Sequence, residues 1–147
     1  MRSEIHETMK APYERIFELA AEVERWPEIL PHYRYVRRLG NGDERRFAMG
    51  ARRGAIPVSW EAVQRPMRHE RRIEFVHTGG VTKGMVVAWR FAGEDGAVDV
   101  SIEHRLDLDW PLIGEFAASR VIGPHFIEAI AGRTLRRVRE LAEAGDR

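Results

Sequence analysis

The sequence predicts an α+β fold, a curved antiparallel sheet packed against one long C-terminal helix, and three observations predict it. Apolar spacing near 3.6 residues marks a helix early in the chain, alternation with period two runs from His32 to Asp109, and the helical period returns after Trp110-Pro111. Alternation leaves one face of each strand apolar and the other polar, which suits an antiparallel sheet covered on one side rather than a parallel sheet buried on both. The apolar stripe of the last helix needs a partner, and the apolar side of the sheet is the surface large enough to serve. With 147 residues, no internal repeat and no linker rich in Ser, Gly or Pro, the chain reads as a single domain, residues 1–147.

In chain order, the polar-apolar run from Glu4 to Lys10 reads as a first strand, and Ala11-Pro12 puts a proline where a helix can begin. Tyr13, Ile16, Phe17, Ala20 and Val23 then recur at three and four residues, with Glu14, Arg15, Glu18 and Glu22 on the opposite face. Pro27 and Pro31 bracket a second, brief helix ending near Leu30. Turn signals at Gly40-Asn41-Gly42-Asp43, at Gly54 with Pro57, at Pro66 to His69, at Gly79-Gly80 to Gly84 and at Gly93 to Gly96 divide the next stretch into five or six hairpin-connected strands. The cleanest sets Val98, Val100, Ile102, His104, Leu106 and Leu108 against Asp99, Ser101, Glu103, Arg105, Asp107 and Asp109, one row buried and the other in water. Phe116, Ile122, Phe126, Ile130, Leu135, Val138 and Leu141 stripe the long closing helix, with a kink or break expected at Gly123-Pro124.

Composition removes several function classes. Zero Cys excludes disulfide scaffolds, thiol nucleophiles and Cys-ligated metal centres. The six His show no HxH, HExxH or HxxxH spacing, so no metal and no cofactor are predicted. Lys and Arg total 24 against 23 acidic residues, a net charge of +1 that gives no global attraction for nucleic acid, and none is predicted as a partner. The Arg-Arg pairs fall largely on strands, where neighbours point to opposite faces and cannot form one basic stripe. No run approaches the roughly 18 apolar residues of a bilayer-spanning helix, and MRSEIHETMK has no apolar signal-peptide core. A soluble, cytoplasmic protein is the expectation. Abundant Arg and Glu with a single Asn and a single Gln resembles a heat-adapted composition.

The inward rows place Phe47 and Met49, Val58 and Trp60, Ile73 and Phe75, then Met85, Val87, Trp89 and Phe91 on one surface. Gln64, His77 and His104 share the inward parity, and each costs roughly 1–3 kcal/mol if buried without a partner. Taken singly, these residues suit a packed core or a hydrogen-bonded structural role as well as a site.

The order of elements, the segment EVERWPEILPHY and the later GMVVAWRF resemble the helix-grip fold of the START and Bet v 1-like superfamily, in its polyketide cyclase/dehydrase and coenzyme Q-binding branch. The likeness covers nearly the whole chain. It implies a curved sheet around a long C-terminal helix, two short helices after the first strand, and an internal cavity of roughly 300–1,000 Å³. It further implies a ligand-binding set of Trp26, Tyr33, Phe47, Met49, Trp60, Gln64, Phe75, His77, Met85, Val87, Trp89, His104 and Phe116. The expected function is non-enzymatic binding or transport of a hydrophobic small molecule, a lipid, a quinone or a polyketide-like compound.

Two alternatives stay open: an aromatase/cyclase with His104 or His77 as acid/base, and a protein-interaction module of the kind that acts on ribosomes. Relatives with cyclase activity carry a cavity Arg on the strand corresponding to VSWEAVQRP. Alignment on Pro66 puts Gln64 there, with Arg65 on the opposite face unless a one-residue bulge turns it inward. Arg45 and Arg53, inward at strand ends, are expected near the cavity mouth.

Overall fold

A computed structural model of the protein describes residues 2–106 and 124–145. Strand β1 (Arg2–Met9) leads into helix α1 (Tyr13–Ala21), a 3-10 turn (Val23–Arg25) and the short helix α2 (Trp26–Ile29). Six strands follow: β2 (Tyr33–Leu39), β3 (Arg45–Arg53), β4 (Ile56–Met67), β5 (Arg72–Gly80), β6 (Val86–Glu94) and β7 (Ala97–Arg105). Helix α3 (Pro124–Glu143) closes the described chain. The expectations for Phe116, for Leu108, Asp107 and Asp109, and for the break at Gly123-Pro124 fall outside the described residues.

All seven strands form one antiparallel sheet in the order β1-β7-β6-β5-β4-β3-β2. Helix α3 contacts both β1 and β3, which stand five strand intervals apart. A flat sheet would separate them by about 24 Å at roughly 4.8 Å per strand, twice the width of a helix. The sheet therefore curves around α3, and the result is a helix-grip fold.

Local chemistry explains the elements. Pro12 precedes the first turn of α1 without a side-chain cap, and Asp95 in the β6–β7 turn supplies the missing acceptor, taking the Tyr13 N–H at 2.9 Å. The Tyr13 hydroxyl donates to the Arg68 carbonyl at 2.6 Å, tying α1 to the β4–β5 turn. The whole apolar stripe of Tyr13, Ile16, Phe17, Ala20 and Val23 is buried. On β7 the inward row from Val98 to Leu106 is buried as alternation requires, but its other row is only partly wet. Ser101 and Glu103 are buried too. Glu103 accepts from Arg2 Nε at 2.6 Å and pairs with Arg90 and Arg105 at 3.4 and 3.5 Å, so long Arg side chains lie across the outer face and cover it.

Close approach explains one glycine. The Tyr35 ring lies over Gly50 on the outer face, where an added Cβ would overlap it, and the Tyr35 hydroxyl reaches Ser59 Oγ at 3.1 Å. Gly50→Val is expected to lower stability by about 1–3 kcal/mol, read as the midpoint of urea unfolding. The loss shrinks when the same change is made in a Tyr35→Ala background, and an equal loss in both backgrounds would contradict the contact.

Candidate functional site

Inward side chains of the curved sheet and those of α3 do not meet everywhere. Between them lies a cavity with about 80 Å³ of free volume, several times the roughly 10–15 Å³ that holds one water molecule. Ten of the expected residues line it: Trp26, Tyr33, Met49, Trp60, Phe75, His77, Met85, Val87, Trp89 and His104. The free volume is well below the expected 300–1,000 Å³, because three indoles and Phe75 fill much of the space that curvature opens.

Two expected residues stand elsewhere. Gln64 is buried, but its Oε1 accepts from Arg45 Nε at 2.8 Å and its Nε2 donates to the Ala21 carbonyl at 2.8 Å. It ties β4 to β3 and to the end of α1 and has no part in the lining. Phe47 is fully buried outside the cavity, with the Arg38 and Arg45 guanidinium carbons 5.8 and 5.4 Å from its ring centre. Neither Arg45 nor Arg53 lines the cavity. Arg65 points outward and lies 3.8 Å from Glu74. A bulge does interrupt this strand pair, but the register passes from Glu61↔Gly79 to Ala62↔His77, so the extra residue is Thr78 on β5. Alternation along β4 stays intact from Val58 to Gln64, and Arg65 is not turned inward.

The walls also include Val58, Thr82, Ile102, Phe126, Ile127, Ile130, Ala131 and Thr134. Thr134 was readable in principle, since it follows Phe126 and Ile130 at steps of four along the inward face of α3. Thr82 was not, because it belongs to a turn whose sequence says only that the chain reverses.

Rings form a continuous belt around the space. Trp26 packs edge-on against Tyr33 at 5.0 Å and tilted against Phe75 and Trp89 at 6.2 Å each, while Trp60 stacks on His77 at 5.5 Å and 4°. Trp26 Nε1 donates to the Leu19 carbonyl at 3.0 Å, which fixes the indole and satisfies its only donor.

The polar groups of the lining are largely spent on one another. His77 Nδ1 and Thr82 Oγ1 are 2.7 Å apart. Thr134 Oγ1 donates to the Ile130 carbonyl at 2.9 Å, so the contact at 2.8 Å from His32 Nε2 must be an imidazole N–H donating to that hydroxyl oxygen. His104 is the exception: its Nδ1 is buried with no partner among the described residues.

Burial pushes His77 down to about 3, with nearby His104 adding to the shift. Burial holds His104 at about 4, against an upward pull from the Glu128 carboxylate. Burial and then the charge of Arg133 bring His32 to about 4. Tyr33 is pushed up by burial, with the Thr134 hydroxyl acting the other way. All four are neutral near pH 7. Among the described residues no charged side chain lines the cavity, and no group of His, Asp and Glu could hold a metal ion.

Residues 9–121 match the sequence profile of the polyketide cyclase/dehydrase and lipid transport family. No curated protein matches the chain. Among solved structures, the Zhui aromatase/cyclase from Streptomyces sp. R1128 is similar at 17% identity and a TM-score of 0.86, over 100% of this chain and 96% of that one. The protein TTHA0849 from Thermus thermophilus is similar at 19% identity and a TM-score of 0.74, over 97% and 99%. A START superfamily protein from Mycobacterium smegmatis is similar at 14% identity and a TM-score of 0.63, over 95% and 98%. These likenesses extend the helix-grip architecture across the chain. No helix among the described residues is long and apolar enough to cross a membrane.

The neutral histidines set a pH dependence. A His held near 3 or 4 in the folded state and near 6.5 unfolded binds its proton first in the unfolded chain, so its contribution is complete above about pH 6.5. It is then lost as pH falls toward 4 and below. Urea unfolding is expected to show stability falling between pH 7 and pH 5, with a shallower fall in His77→Gln. Equal slopes in the two proteins would contradict a buried neutral His77.

Proposed function

Because the chain belongs to the polyketide cyclase/dehydrase and lipid transport family, we propose that it binds one uncharged, ring-bearing hydrophobic molecule between the sheet and α3. The observation that carries this reading is a lining that is mostly apolar and, among the described residues, uncharged, with a buried nitrogen, His104 Nδ1, that has no described partner. A buried nitrogen without a partner costs roughly 1–3 kcal/mol, and a hydroxyl or carbonyl on a ligand recovers that cost. Trp26, Trp60, Phe75 and Trp89 hold the ring system, and Tyr33 and His77, committed to protein partners, shape the walls. Met49 and Met85 are the flexible lining side chains that re-pack around a ligand larger than the free volume. An ionised carboxylate is disfavoured, since it would lose its hydration and meet no cation among the described lining residues.

Calorimetric titration with 2-naphthol, naphthalene and 2-naphthoate at pH 7.5 tests this. Saturable binding in the order naphthol, naphthalene, naphthoate is expected. His104→Leu is expected to raise the stability of the ligand-free protein by about 1 kcal/mol, by removing the unpaired nitrogen, and to erase the preference for naphthol over naphthalene. No saturable binding of either neutral compound would overturn the reading.

Likeness to an aromatase/cyclase over the whole chain favours a second reading, in which His104 moves a proton during closure of a β-ketone chain. Against it stands the absence of a cation in the described lining to stabilise a developing enolate, now that Gln64 and Arg65 both lie outside the cavity. Turnover of a short β-ketone substrate that is lost in His104→Leu would establish the enzyme, and no turnover by the native protein would remove it.

A further inference from the structure

All four exposed large hydrophobic side chains among the described residues stand on two hairpins at one end of the sheet. Ile56 (48% exposed) begins β4, Val81 (54%) opens the β5–β6 turn, and Val76 and Val86 face each other on the outer surface beside it. Pairing of Trp60 with Gly80 sets the β5–β6 turn alongside the first half of β4, so both turns project from the same end. Ile56 continues the inward row of Val58 and Trp60, and Val81 precedes Thr82. Both tips therefore adjoin residues that line the cavity.

Charge separates this end from the other. The end of β3 carries exposed Arg52 and Arg53 and the β5–β6 turn carries exposed Lys83, with no acid between Glu44 and Glu61 or between Glu74 and Glu94. The turns at the opposite end carry Asp43 and Glu44, Glu70 between Arg68 and Arg71, and Asp95, with Arg68 paired to Glu14 and Arg71 bonded to the Gly93 carbonyl. Projecting apolar tips flanked by cations suit a surface that is greasy below and anionic above, where apolar side chains enter the acyl boundary and cations meet headgroups. Convex tips of this kind enter a soft interface more readily than they cover a flat partner.

We propose that the β3–β4 and β5–β6 tips dock the protein on an anionic lipid surface, with Ile56 and Val81 inserted and Arg52, Arg53 and Lys83 against the headgroups. The claim is independent of what the cavity binds. Co-sedimentation of the full chain with vesicles of phosphatidylglycerol and phosphatidylcholine in equal parts, and with phosphatidylcholine alone, tests it.

Binding is expected to the anionic vesicles only, and to weaken with added salt. The pair Ile56→Asp with Val81→Asp, and separately the triple Arg52→Glu, Arg53→Glu and Lys83→Glu, should each reduce partitioning by roughly tenfold or more. All these positions are exposed, so circular dichroism and 2-naphthol titration should match the native protein. A native protein that stays in the supernatant with anionic vesicles, including one that instead captures an acidic soluble protein, overturns the proposal. So do variants that sediment like the native chain.

Discussion

One helix held by strands on both sides of a seven-stranded sheet is the constraint from which the rest follows. Helix α3 touches β1 and β3, and the sheet between them has to bend. The helix rests on β1 and β3 and stands off from the middle strands β4 to β7, so large rings are needed to close the distance to it. Trp26, Trp60, Phe75 and Trp89 close most of it, and the cavity is what they leave. The small turn helix matters as much as the sheet, because it delivers Trp26 into the belt with its indole N–H already bonded to Leu19.

The same enclosure decides the electrostatics. With no charge in the described lining, imidazoles there stay neutral, and neutral imidazoles are tolerated only when their nitrogens find partners. His77 finds one in Thr82, and His32, buried behind the lining, finds one in Thr134. His104 Nδ1 does not. A stable interior gains nothing from an orphaned nitrogen, and such costs are retained where a site needs them. His104 lines the cavity while its Nδ1 is closed off from the free space, so a ligand that re-packs the wall would be its partner.

Much of this was legible in sequence. Parity along Val98 to Leu106 and along Met85 to Phe91 identified the inward rows, and glycine-rich turns divided the meander at the right places. Segment-level likeness in EVERWPEILPHY then pointed to the fold that residues 9–121 match. Other features depend on pairings that one strand does not contain. Gln64 shares the parity of a site residue, yet β3–β4 register sets Arg45 opposite it and the two bond to each other. Glu103 sits on the polar row, yet three arginines from neighbouring positions cover it. The bulge needed to turn Arg65 inward exists, but one strand away, at Thr78. Free volume is the least legible quantity, since it is a small difference between curvature and ring size.

The most direct measurement of the central claim is the imidazole nitrogen spectrum of His104, recorded by long-range nitrogen–proton correlation with and without 2-naphthol. Without ligand, a neutral ring with a free Nδ1 is expected. On addition, the His104 resonances should move to hydrogen-bonded positions at saturation while those of His77 and His32 keep their protein partners and move little. A His104 that is already hydrogen-bonded in the free protein, or that is unaffected by saturating ligand, would contradict the account.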